Sequence, residues 1–284
     1  MATDYLWFEG IPFPSYVQSV ETLKFLRDEF VVQDGDVITF SYPKSGSHWM
    51  FEILSLIHSK GDPRWVQSVA IWDRSPWLET EIGYENVKNQ KYPRMYSSHL
   101  PIQLAPKSFF NSKAKVIYLM RNPRDILISG YYFYQVLKLV KSPESFEQYF
   151  ELFLQGNAPF GSWFDHIRGW LSMKGKENVF IISYEELHQD LKGSIERLSQ
   201  FLGKKLSPEE LNSVLKHISF QVMKDNKMSN LSIVPDEVIN HSKGGIMRKG
   251  ITGDWKNHFT VAQSEAFDKI YQEKMVGLPR GLFL

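Results

Sequence analysis

Tyr42-Pro43-Lys44-Ser45-Gly46-Ser47-His48-Trp49 lies between two apolar patterns of different period. Before it, Val37-Ile38-Thr39-Phe40 reads as a short buried strand. After it, Trp49, Met50, Ile53, Leu54 and Ile57 recur at the spacing of one helix face. A strand, a tight turn carrying Lys, Gly and two hydroxyls, and then a helix start make a cradle for an anion. The first N–H groups of a helix have no partner within it, and the helix dipole favours negative charge there. Lys44 adds a full positive charge, and Ser47 can cap the helix or bind an oxygen. A nucleoside-triphosphate loop would set two glycines five apart and end in Gly-Lys-Ser/Thr. No such string occurs, and the lysine here precedes Ser45-Gly46-Ser47. Taken alone, the octapeptide is also compatible with an ordinary strand–helix turn.

Outward from this turn, short apolar runs alternate with longer periodic ones. The short runs are 37–40, 95–97, 116–120 and 179–183; the longer ones are 49–58, 124–139, 146–154, 163–173 and 187–202. Strands alternating with helices imply βαβ units and a parallel sheet covered on both faces. The expected fold is therefore α/β, with a central, mostly parallel sheet flanked by helices. With no internal repeat and no Gly/Ser linker, residues 1–284 read as a single domain. Ser207-Pro208-Glu209-Glu210 predicts another helix start, with Ser207 as cap and Glu210 closing a capping box. The polar segment 219–253 has little periodicity and contains Gly244-Gly245; a stretch this long reads as a lid that orders over a ligand.

A net charge of +1 argues against a general nucleic-acid binder, which would be strongly basic. The chain has no cysteine, which excludes disulfides, thiolate catalysis and cysteine-ligated zinc and fits a reducing, cytoplasmic setting. The acidic first residues carry no basic leader region, and no apolar run approaches the ~20 residues of a membrane span.

Three further signals carry chemistry. Arg121, in Met120-Arg121-Asn122-Pro123-Arg124-Asp125, follows a strand, where ligands bind in open α/β sheets. It suits bidentate contact with a phosphate, or a pair with Asp125. Ser129 lies a little over one turn into the helix that Pro123 starts. His99, in Ser97-Ser98-His99-Leu100-Pro101, is the only one of the eight histidines at an expected strand end flanked by hydroxyls. It can take a proton near neutral pH or serve as a hydrogen-bonded structural histidine. Arg248-Lys249-Gly250, inside the polar segment, would suit a phosphate dianion or a solvated loop.

Together these motifs, in this order, resemble the cytosolic sulfotransferases over essentially the full length. Trp7-Phe8-Glu9-Gly10, Ser98-His99-Leu100-Pro101-Ile102 and Gly253-Asp254-Trp255-Lys256-Asn257-His258-Phe259 are most like the hydroxysteroid (alcohol) branch. The resemblance implies a donor, 3′-phosphoadenosine 5′-phosphosulfate (PAPS), leaving as 3′-phosphoadenosine 5′-phosphate (PAP), with no metal. It implies that Lys44, Ser45, Gly46, Ser47, His48 and Trp49 form a P-loop-like 5′-phosphosulfate loop. Arg121, Ser129, Arg248, Lys249 and Gly250 would hold the 3′-phosphate. Trp49 and Phe220 would sandwich the adenine, Tyr184 would hydrogen-bond it, and Met223 belongs to the same site. Lys44 would stabilise the leaving oxygen, His99 would act as general base, and Ser129 would help hold Lys44 until the acceptor arrives. Phe13, Trp72, Trp77 and Phe133, with Tyr134 and Leu231, could line an apolar acceptor pocket or be plain core. The branch implies a flat apolar alcohol such as a hydroxysteroid or bile acid. Lys256, Thr260, Val261 and Glu265 match a short homodimer motif.

Two positions depart from the family pattern. His48 stands where Asn or Thr is common, a change that a backbone contact survives. Ile218 stands where Ser or Thr is common, removing a hydroxyl contact and predicting weaker donor affinity. Two other readings compete: a P-loop kinase, against which the Lys44-Ser45-Gly46 order speaks, and a non-catalytic nucleotide or steroid carrier, against which the set Lys44, His99 and Ser129 speaks.

Overall fold

A computed structural model of the protein describes residues 5–279, 282 and 283. The chain opens with a hairpin, β1 (Tyr5–Phe8) and β2 (Ile11–Pro14), whose two-residue turn holds Glu9 and Gly10 at positive φ. Helix α1 (Val20–Asp28) then leads to β3 (Val37–Ser41), α2 (Ser47–His58), α3 (Arg64–Ser68), α4 (Ile71–Arg74) and α5 (Glu81–Asn89). Next come β4 (Met95–Ser98), β5 (Lys115–Met120), α6 (Pro123–Val136), α7 (Phe146–Gln155), α8 (Trp163–Leu171) and β6 (Val179–Ser183). The remaining helices are α9 (Tyr184–Gln189), α10 (Leu191–Leu202), α11 (Pro208–His217), α12 (Phe220–Asp225) and α13 (Val261–Lys274). Among the described residues, no helix is long and apolar enough to cross a membrane.

The four expected strands form one sheet in the order β4-β3-β5-β6, every neighbouring pair parallel. Because side chains alternate along a strand, β5 feeds two cores. Val116, Tyr118 and Met120 pack with α1, α6, α7, α8 and α13 on one face. Ile117 and Leu119 pack with α2, α9, α10 and α11 on the other. The capping box predicted at Ser207 and Glu210 is present. The periodic stretch 187–202 is two helices, because Asp190 ends the first and its carboxylate caps the second by accepting from the Gly193 N–H. The hairpin, α1, α3, α4, α5, α12 and α13 went unread in the sequence.

The segment 219–253 is better tied down than its composition predicts. It contains α12, and its backbone pairs with that of the core through Ile71 N–H to Met228 O, Lys138 N–H to Val238 O and Asn240 N–H to Val136 O, at 2.7–2.9 Å. Asp125 holds its far end, accepting the N–H groups of Gly253 (2.6 Å) and Trp255 (3.0 Å).

Candidate active site

All four strands point the same way, so the residue that follows each one emerges at the same edge of the sheet. His99 follows β4 and Arg121 follows β5, Tyr184 follows β6, and Lys44 stands in the turn after β3. Strand order sets them out as His99, Lys44, Arg121, Tyr184, about 4.8 Å per strand. They line one cavity of about 600 Å³ with Ser129 and Phe220.

The turn after β3 is built to present its backbone. Lys44 adopts φ +68°, a left-handed conformation costing about 1–2 kcal/mol for a residue with a Cβ. Gly46 follows at φ +100°, where a Cβ would lie 2.5 Å from the Tyr184 ring. Gly46, not Ser47, is the N-cap of α2, and no side chain caps this helix. Ser47 instead shares a hydrogen bond with Ser41 Oγ at 2.9 Å. The first N–H groups of α2 therefore remain available to an anion. Ser45 Oγ, fully buried, has no partner.

Cations crowd this end of the sheet. Lys44 Nζ stands 3.9 Å from the centroid of the Phe133 ring, a cation–π contact. Among the described residues it makes no hydrogen bond to Ser129, one turn earlier on α6. Burial, reinforced by the Arg121 and Arg248 guanidinium groups, pushes the Lys44 ammonium down to about 7. Arg121 does not pair with Asp125. Its guanidinium donates to the carbonyls of Lys44 and Ile251, both at 3.1 Å, stacks 4.3 Å from the Tyr184 ring, and leaves a buried Nε without a partner. Arg248 and Lys249 each pair with Asp254 at 2.7 Å. Burial opposes ionisation of Asp254, but hydrogen bonds from Lys249, Asn257 and Arg248 outweigh it and hold the carboxyl well below the usual range. Gly250, at φ +67°, comes so close to Phe220 that a Cβ would sit 2.2 Å from its ring.

Trp49 donates its indole N–H to the Ile218 carbonyl at 2.9 Å and meets Tyr184 edge-on at 5.4 Å. The Ile218 side chain is fully buried. Met223 is buried and also lines the cavity. His48 lines it too, and burial followed by the Lys44 charge pushes its imidazole down to about 3.

His99 Nδ1 lies 2.7 Å from the Ser41 carbonyl. A carbonyl only accepts, so Nδ1 carries the proton and Nε2 keeps its lone pair. Burial pushes the imidazole down to about 4, so it is neutral at physiological pH. Trp77 meets the His99 ring edge-on at 5.5 Å, and Trp72, Phe133, Tyr134 and Leu231 line the same cavity. Phe13 does not. It is fully buried one layer back, edge-on to Phe160, which is the ring that faces the cavity.

Sequence reasoning missed Glu79 and the pairing role of Asp254. Glu79 is wholly buried and accepts the His99 N–H at 2.5 Å. Its neighbours Leu78 and Thr80 carry no periodic signal that marks it. Asp254, an acid five and six residues beyond two adjacent cations, was visible as a partner for them.

A model of the sulfotransferase domain matches residues 34–279. The chain is 61% identical over 283 residues to sulfotransferase 2A1 of Macaca fascicularis, covering 100% of this chain and 99% of that protein. It is 58% identical over 283 residues to the 3-beta-hydroxysteroid sulfotransferase of Cavia porcellus, covering 100% and 98%. A crystal structure of mouse sulfotransferase SULT7A1 complexed with PAP superposes with a TM-score of 0.79 at 32% identity, over 96% of this chain and 95% of that one. With the strand-end cations, the uncapped anion turn and these likenesses together, the chain belongs to the sulfotransferase family.

Proposed function

We propose that the chain moves the sulfuryl group of PAPS to the hydroxyl of a hydroxysteroid. The observation that carries this is the row His99, Lys44, Arg121, Tyr184 along one sheet edge, an order that suits base, leaving-group cation, phosphate clamp and a ring that hydrogen-bonds the adenine. A nucleotide with anionic groups at two ends needs two cationic regions. The turn 44–49 offers one, and Arg121 with Arg248 and Lys249 the other. The orphaned Ser45 Oγ and Arg121 Nε fit such a polyanion, since buried polar atoms without partners are rare unless a ligand completes them.

In the transfer, His99 Nε2 takes the proton of the acceptor hydroxyl as that oxygen bonds to sulfur. The bond from sulfur to the bridging oxygen breaks, and Lys44 neutralises the charge left on the departing phosphate. Sulfuryl transfer, like phosphoryl transfer, asks the protein mainly to position groups and neutralise charge. The neutral tautomer of His99 makes it a base rather than a competing cation. Ser129, Arg248, Lys249 and the Gly250 backbone hold the 3′-phosphate. Because Asp254 already pairs with both cations, phosphate binding means sharing them with that carboxylate. Trp49 and Phe220 flank the adenine, and Tyr184 and Met223 close its pocket.

The acceptor class rests on the apolar walls of the cavity beside His99 and on relatives bearing 3-beta- and 3-alpha-hydroxysteroid sulfotransferase names, each 58% identical. Residues 1–284 act as one domain in this reading, in the cytoplasm. Lys256, Thr260, Val261 and Glu265 form a homodimer patch, for which the 76% exposure of Val261 provides an apolar anchor. Light scattering at monomer mass would end that last claim.

The test is incubation with labelled PAPS, and separately with ATP and magnesium, against steroids, bile acids and phenols. Sulfated steroid is the expected product, and phosphorylated product from ATP alone would overturn the reading. His99→Ala should lose about 10²–10⁴-fold in turnover while keeping PAP affinity.

A further inference from the structure

We propose that Glu79 and His166 are positioning residues for sulfuryl transfer, gripping the His99 backbone from its two sides and so fixing where its imidazole points. The proposal rests on the reading of His99 as the base.

His99 lies one residue beyond β4, which is an edge strand of its sheet, so the ladder no longer holds it. Its N–H is taken by Glu79, and its carbonyl lies 3.2 Å from His166 Nε2. Neither side chain is at the surface: Glu79 is 0% and His166 1% exposed. Because a carbonyl only accepts, His166 Nε2 carries the proton. Nδ1 must then accept, and Tyr118, 2.9 Å away and itself buried, donates its hydroxyl to it. The next residue is fixed in the same way, as Trp170 Nε1 donates to the Leu100 carbonyl at 3.2 Å. With Nδ1 on the Ser41 carbonyl, His99 is held directly from β3, α8 and the loop before α5, and through His166 from β5.

A carboxyl is an expensive way to fill a core position. Burial pushes Glu79 up to about 7 against the pull of the His99 N–H and, after it, of the Trp77 and Ser98 side chains. An apolar side chain would avoid that cost but would leave the His99 N–H unpaired inside the protein. The base would then be free to rotate away from the acceptor oxygen, and misplacement by about 1 Å costs on the order of 10²-fold in rate.

The experiment compares Glu79→Leu, Glu79→Gln, Tyr118→Phe and His99→Ala in steady-state turnover of a hydroxysteroid. It adds PAP titration and nitrogen NMR of the His99 ring. Glu79→Leu should lower kcat about 10²-fold, with steroid KM and PAP affinity within threefold of the parent. Glu79→Gln keeps a carbonyl oxygen for the His99 N–H and should recover most of that loss. The His99 signals should show the single Nδ1–H tautomer in the parent and tautomer mixing in Glu79→Leu and, more weakly, in Tyr118→Phe. If Glu79→Leu does not fold, Tyr118→Phe, which removes one oxygen, decides by the same NMR signature. Unchanged kcat and tautomer in the folded variants, or a loss shared equally by PAP affinity, would overturn the proposal. Full turnover in His99→Ala would instead remove the base reading on which it stands.

Discussion

The two ends of the parallel sheet treat buried charge in opposite ways. At the end where β3 and β4 begin, Asp36 accepts from Arg94 Nε (2.9 Å) and Nη2 (2.5 Å), from the Tyr96 hydroxyl (2.8 Å) and from the Gln33 N–H (2.9 Å). Arg94 spends its remaining reach on the Val31 carbonyl at 3.0 Å. At the end where the same strands finish, Lys44 and Arg121 have no acid partner among the described residues, and Ser45 Oγ and Arg121 Nε lack any hydrogen bond. The first network closes on itself and holds the fold. The second is completed only by charge brought from outside, and its cost to the free protein appears as a lysine pushed down to about 7. Stability and ligand recognition are thus assigned to opposite edges of one sheet.

Breaking the closed end should cost stability. Asp36→Ala leaves Arg94 buried and unpaired and should remove about 3–5 kcal/mol, read in chemical denaturation, while the folded fraction keeps near-normal kcat. Breaking the open end should do the reverse. Lys44→Ala should cut kcat about 10²–10³-fold with a melting temperature equal to or above the parent, because a repelled cation has gone. A large stability loss in Lys44→Ala would contradict the division between the two ends.

Protonation sharpens the same contrast. The free protein holds Lys44 near pH 7, whereas a bound polyanion favours the ammonium form. PAP binding should therefore take up protons at pH 8 and weaken as pH rises above 7. Calorimetry in two buffers of different ionisation enthalpy measures this, and Lys44→Ala should abolish the uptake. The sign for folding follows from the same shift. The unfolded lysine keeps its proton to about 10.5, so the free protein gains stability from this group as pH rises through 7 to 10. The smallest effect is expected at Ile218. Restoring a hydroxyl with Ile218→Ser should tighten PAP binding about fivefold, the worth of one hydrogen bond. It should also lower the melting temperature, since the Ile218 side chain is fully buried. Unchanged PAP affinity would show that the hydroxyl has no partner on the donor.

The strand runs, the Ser207 capping box and the positions of Lys44, His99 and Arg121 after strands were readable because each is a local signal, set by side-chain alternation and turn chemistry within a few residues. Locality also explains the errors. Ser47 carried a capping side chain, yet the left-handed turn at Lys44 and Gly46 moved the cap one residue back. Phe13 and Phe160 have similar apolar character, and only packing decides which ring faces the cavity.

By itself the sequence determined the α/β alternation, the anion turn and the list of cations, because backbone periodicity and turn residues act over short distances along the chain. Tertiary structure alone decided that β3 lies between β4 and β5. That order places Lys44 between His99 and Arg121, although they lie 55 and 77 residues away along the chain. It also decided that Asp125 secures a loop rather than pairing with Arg121, and that Glu79 meets the His99 backbone. Pairings of this kind are chosen by sheet order and by the demand that every buried polar group find a partner, and neither is written in the spacing of residues along the chain.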